Sequence, residues 1–162
     1  MKNLFRISAV AALTLTVLLS CKKGENDPFL SLRSRDARIT GVWNLLELTQ
    51  INSNTFSGTT VSDTYTIMNG VDSDGDSYSI KWEILKDGTY ISTTILNGEE
   101  STSTGYWSWV NSKKDKIAIE IGGDSYRIDR LSNKDLHIYE EYSSTSPSSS
   151  SNNTLNMKFE KE

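Results

Sequence analysis

Few residues of this 162-residue chain are of types that do chemistry, and their spacing limits what they can do. Cys21 and His137 are the only cysteine and the only histidine, so the nitrogen and sulfur ligands of a usual zinc site cannot be assembled. Glu99-Glu100 and Glu140-Glu141 are adjacent pairs. Neighbours on a strand face opposite ways, so neither pair works as an acid–base couple on one substrate, and both read as solvated charge. The run Asp72-Ser73-Asp74-Gly75-Asp76, with Glu83 at the twelfth position, imitates the carboxylate spray of a calcium loop. Ser77 and Ser79 break the rest of that pattern. Two readings remain, a loop-only calcium site on Asp72, Asp74 and Asp76, or a polar hairpin tip rich in turn formers. With no catalytic constellation the chain reads as a non-enzyme without cofactor, a carboxylate-dependent enzyme being the alternative. The aromatics are the better lead: Trp82, Tyr90, Tyr106, Trp107 and Trp109 fall on three successive alternating segments. Trp82, Tyr90, Trp107 and Trp109 are candidates for lining an apolar ligand cavity or for filling a core, while Tyr106 faces away from Trp107 and Trp109.

Strands must position them. From residue 39 onward the apolar period is two, as in Tyr78, Ile80, Trp82, Ile84, in Ile117, Ile119, Ile121 and in Leu155, Met157, Phe159. Nine strands are expected, near residues 42–52, 60–68, 78–86, 89–96, 103–110, 116–121, 125–131, 135–142 and 154–160. His137 alternates with Leu136 and Ile138 and so belongs on the face opposite them. Asp87-Gly88 and Asn97-Gly98 suit two-residue hairpins, and Gly122-Gly123-Asp124 and Ser132-Asn133-Lys134-Asp135 suit slightly longer turns. A meander of this length must close or double over to protect its edges. The expected fold is all-β, an antiparallel up-and-down meander closing into a barrel of eight to nine strands over residues 39–162. Ser143 to Asn153 (SSTSPSSSSNN) has too little apolar area to offset its ordering entropy and is expected to be a disordered loop.

Gly41-Val42-Trp43 heads the first strand and looks like the lipocalin G-x-W signature, with the late basic residue Lys158 expected to cover Trp43. Leu85-Lys86-Asp87-Gly88-Thr89-Tyr90, Gly105-Tyr106-Trp107-Ser108-Trp109 and Tyr126 to Leu136 follow in order. Together they make residues 39–160 similar to the lipocalin-like domains of secreted Gram-negative bacterial lipoproteins. That resemblance implies a lipocalin-like barrel with Gly41 and Trp43 as its structural signature.

At the N-terminus, Lys2 and Arg6 precede an apolar run, Ile7 to Leu19, too short to span a bilayer. Leu18-Leu19-Ser20-Cys21 then resembles a bacterial lipobox. The resemblance implies a signal peptide over residues 1–20, cleavage before Cys21, a diacylglycerol thioether on its sulfur and an acyl chain such as palmitate on its amine. Three chains make a stable anchor. Lys22, where inner-membrane lipoproteins often carry Asp, points to the outer membrane, with periplasmic and surface orientations both open. Residues 21–38 read as a tether in which Arg33, Arg35 and Arg38 are solvated. The mature 142 residues carry 15 basic and 21 acidic groups, a net charge of −6, which argues against nucleic acid as partner. The expectation is a monomeric outer-membrane lipoprotein whose barrel binds a small hydrophobic molecule or a protein partner. A solidly packed structural or adhesion module is the alternative.

Overall fold

Two-residue alternation builds ten antiparallel strands in the computed structural model, which describes residues 33–111 and 116–162. Cys21 and the segment around it lie outside the described residues. A short helix, α1 (Arg35–Ile39), precedes β1 (Gly41–Phe56), β2 (Thr59–Met68), β3 (Val71–Asp72), β4 (Tyr78–Ile84) and β5 (Thr89–Leu96). β6 (Glu99–Trp109), β7 (Ala118–Ile121), β8 (Asp124–Leu131), β9 (Asp135–Ser146) and β10 (Ser149–Lys161) follow. All nine expected strands are present, and β3 is an addition.

β10 pairs with β9 on one side and with β1 on the other, so β1 and β4–β10 close an eight-stranded, lipocalin-like barrel. The ring is not a pure meander, because β4 pairs with β1 rather than with the strand before it. A bulge between Leu45 and Glu47 explains this. Before it, Gly41–Asn44 pair with β4; beyond it, Glu47–Phe56 pair with β2. Leu46 projects from the bulge, and its carbonyl accepts the Asn69 N–H at 3.0 Å. β1 therefore runs on past the ring, and β2, β1, β10 and β9 form a four-stranded extension beyond it.

Ser143–Asn153 lies in that extension as the β9–β10 hairpin, not as the disordered loop expected from composition. β10 sits between β1 and β9, and the backbone ladders on both sides supply hydrogen bonds that composition does not reveal. Hydroxyl pairs add to them, Ser146 with Ser149 and Ser53 with Ser62, each at 2.8 Å. Asn97-Gly98 forms the expected two-residue turn, both residues at positive φ. Asp87-Gly88 instead belongs to a four-residue loop, where the Asp87 carboxylate accepts the Thr89 N–H at 2.9 Å.

The core fills the ring and is closed at one end by α1, whose N-cap is Ser34. Arg35 and Arg38, expected in a solvated tether, are buried with Ile39 against the barrel. The Arg38 guanidinium donates to the Leu131 carbonyl. The folded unit thus begins before residue 39, and the buried arginines attach it to β8.

Candidate functional site

The two ends of the barrel differ chemically, and the closed base explains the Gly-x-Trp signature. Gly41 has φ +140, and a Cβ there would collide with the Lys161 side chain. The missing Cβ lets Lys161 lie across the start of β1. Its ammonium donates to the carbonyls of Arg38, at 2.8 Å, and Thr40, and stands 4.8 Å from the centre of the Trp43 ring. Trp43 is wholly buried and donates its indole N–H to the Ile39 carbonyl at 2.7 Å. The basic residue over Trp43 is therefore Lys161, not Lys158, which pairs with Glu47 at 2.7 Å on the outer face. Register gives the reason: Lys161 is opposite Trp43, whereas Lys158 is opposite Glu47.

The four aromatic candidates are not on one wall. Trp107 and Trp109 belong to the base, ring centres 5.8 Å apart and edge to face. Trp107 donates to the Leu85 carbonyl and Trp109 to the Asp36 carboxylate of α1, both at 2.7 Å. Lys116 pairs with the same carboxylate, whose pKa these contacts lower, Lys116 first. Trp82 and Tyr90 lie deeper along the barrel axis, packed with Phe159 and Tyr126. The Trp82 ring centre is 4.4 Å from Phe159, 5.4 Å from Tyr90 and 6.2 Å from Tyr126. Burial pushes the Tyr90 hydroxyl up to about 12. Tyr106 projects outward, as alternation predicts.

Above this aromatic floor the inward face continues onto the flared strands as the mouth of the barrel. Residues directly opposite in antiparallel pairs share a face. The row Ile67, Leu48, Met157, Ile138 is the last buried one on the extension. The next rows outward carry Tyr65, Gln50, Leu155 and Glu140, then Asp63, Asn52, Asn153 and Tyr142. Gln50, Glu140, Tyr142, Asn153, Thr154 and Leu155 line a cleft of about 150 Å³. A second hollow, about 320 Å³, lies further out among Phe56 and the serines of the β9–β10 hairpin. Burial, and then Asp124, raise the Glu140 carboxyl above its ordinary value. Burial, then Glu140, Asp124 and Tyr90, raise the Tyr126 hydroxyl above its ordinary value. Sequence reasoning missed Glu140, although strand parity puts it on the face of Leu136 and Ile138.

The acidic loop does not gather its carboxylates around one point. Among the described residues no group of three or more His, Cys, Asp or Glu side chains is arranged to hold a metal ion. The Asp72 carboxylate turns back on its own loop instead. It accepts the backbone N–H groups of Asp74 and Asp76, each at 2.9 Å, and the Tyr65 hydroxyl at 3.0 Å, leaving Asp74 and Asp76 no shared centre. His137 is half-buried on the outer face opposite Lys158 and Arg130, and burial, then those two cations, lower its pKa.

Fold and site together define a closed eight-stranded antiparallel barrel, plugged at its base by a Gly-x-Trp strand and a helix, and flared at its mouth. Compared with known protein families, with curated proteins and with solved structures, the chain finds no match.

Proposed function

We propose that this chain is an outer-membrane lipoprotein, anchored through lipid on Cys21, whose lipocalin-like barrel takes up a small molecule with an apolar body at its mouth. The observation that carries the binding half is the cleft beside Glu140, Tyr142 and Leu155, which continues the core face outward with no strand or helix among the described residues to cover it. A ligand there meets apolar and aromatic surface below and amides and hydroxyls around it, the mixture expected of a small-molecule site. The anchoring half rests on the order of charged, apolar and Leu-Leu-Ser-Cys segments in residues 2–21. Binding is tested by native mass spectrometry of protein extracted without detergent: a co-purified mass that Leu155→Arg abolishes supports it, and a bare mass from the unaltered chain counts against it. Anchoring is tested by radiolabelled palmitate, which the unaltered chain incorporates and Cys21→Ala does not; label in the mutant contradicts the assignment.

A second reading, contact with a protein partner, is favoured by the edges of the flared strands. Thr59–Thr66 of β2, Glu140–Ser146 of β9 and Glu99–Tyr106 of β6 each pair on one side only among the described residues. Such edges accept an added strand. Pull-down lost on placing proline at Ser144, with small-ligand binding intact, would favour this reading over the first.

A further inference from the structure

Above the closed base, basic side chains of the barrel wall are confined to its outer face, whereas acidic ones occupy both faces. By register, the inward positions of the mouth include Asp63 on β2, Glu99 on β6, Asp124 on β8 and Glu140 on β9. No lysine or arginine occupies an inward position there among the described residues. Lys81, Arg127, Arg130 and Lys158 all lie on the outer face, and Lys161 is inward only at the closed base. Four outer carboxylates have cations to hand: Glu47 with Lys158, Glu83 with Lys81, Asp129 with Arg127 and Asp135 with Arg130. Glu140 and Asp124 make no hydrogen bond or ion pair among the described residues. Glu140 is half-buried on the cleft wall, so its charge is drawn partly out of water without a partner.

The cleft also supplies what an apolar cation needs beyond a counter-charge. Tyr142 stands exposed on its wall with Glu140, so a ring and a carboxylate line one hollow, and Tyr126 and Trp82 pack against each other inside the barrel. A ring face attracts a cation, and a partly dry carboxylate attracts it more strongly than one in bulk water. We propose that the molecule held at the mouth is an organic cation, an amine or quaternary ammonium on an apolar body, with Glu140 as its counter-ion. The inference rests on the reading of the mouth as a small-molecule site and adds the ligand's charge.

Three isosteric probes test it: phenylbutylamine, phenylbutanol and phenylbutyrate, titrated by calorimetry into residues 21–162 carrying Cys21→Ser, which retain every described residue. The amine is expected to bind about tenfold more tightly than the alcohol, with the carboxylate weakest. Glu140→Gln is expected to remove most of that preference while leaving the alcohol unaffected, and Asp124→Asn to reduce it in part. Glu141→Gln, the neighbouring carboxylate on the opposite face, should leave probe binding unchanged, and a cooperative melting transition in each variant establishes that it is folded. Equal binding of all three probes overturns the cation assignment and leaves the mouth a binding site. Binding of none overturns the mouth reading itself. An amine preference that survives both Glu140→Gln and Asp124→Asn overturns the role given to these carboxylates.

Discussion

The base and the mouth are built from the same strands, yet they treat polar groups in opposite ways. At the base the groups around the Gly-x-Trp strand have internal partners: Trp43 has Ile39, Lys161 has two carbonyls, and Asp36 has Trp109 and Lys116. Hydrogen bonds and charge partners lower the carboxyls of Asp36 and Asp135 there. At the mouth the carboxyl of Glu140 is raised, by burial and by Asp124. A satisfied carboxylate contributes stability, and a half-buried one that makes no hydrogen bond or ion pair among the described residues gives some up.

The contrast can be broken most forcefully at Trp43. Trp43→Ala empties the base and leaves the Ile39 carbonyl unpaired, and is expected to lose about 3–5 kcal/mol in chemical denaturation. Lys161→Met keeps the apolar stem but not the ammonium, and should lose about 1–2 kcal/mol by the same measurement, whereas Lys158→Met should lose less than about 0.5. Acid sharpens the comparison further. Asp36, chiefly through Lys116, and Asp135, chiefly through Ser132, titrate below their unfolded value, so the unfolded chain binds protons first as pH falls. Their contribution is full above the unfolded value and is lost as pH drops through the folded ones. Glu140 has the opposite sign: its ionised form costs stability, which returns as pH falls through its raised folded value. Thermal melts across the acid range should therefore show Asp36→Asn and Asp135→Asn flattening the acid loss, and Glu140→Gln stabilising the chain near neutrality. The smallest effect is expected at the exposed wall, where Tyr142→Ser should shift stability by no more than about 0.5 kcal/mol while weakening amine binding.

Much of this arrangement was legible in the sequence because alternation fixes faces. The nine strands, the outward Tyr106 and His137, and the buried Trp43 all follow from a period of two. The same parity assigns Lys161 to the face of Met157 and Phe159 and Glu140 to the face of Leu136 and Ile138. Position in the chain alone points to Lys158, and adjacency to Glu141 makes Glu140 read as solvated charge, so parity is the stronger signal at both sites. Other features were not legible. The order of Ser143–Asn153 depends on β1, a hundred residues away in sequence, and no local composition encodes such a neighbour. The exchange of β2 for β4 along β1 depends on one bulge at Leu46, which moves the inward positions from Trp43 and Leu45 to Leu48 and Gln50, and the pairing partners it selects are distant in sequence. Burial of Arg35 and Arg38 needs the open ring end that they cover, which exists only once the barrel has closed.

Three of the chain's four tryptophans donate their indole N–H groups within the base, while Trp82, opposite Trp43 on β4, packs toward Tyr126, so their signals report on the two surroundings. Trp43, Trp107 and Trp109 are held at the base by hydrogen bonds to Ile39, Leu85 and Asp36, while Trp82 forms the floor beneath the mouth. In a proton–nitrogen NMR titration with phenylbutylamine, the Trp82 signal is expected to move with saturation while the other three stay in place. Movement of the Trp43, Trp107 or Trp109 signals with Trp82 unchanged would contradict a binding mouth above a sealed base.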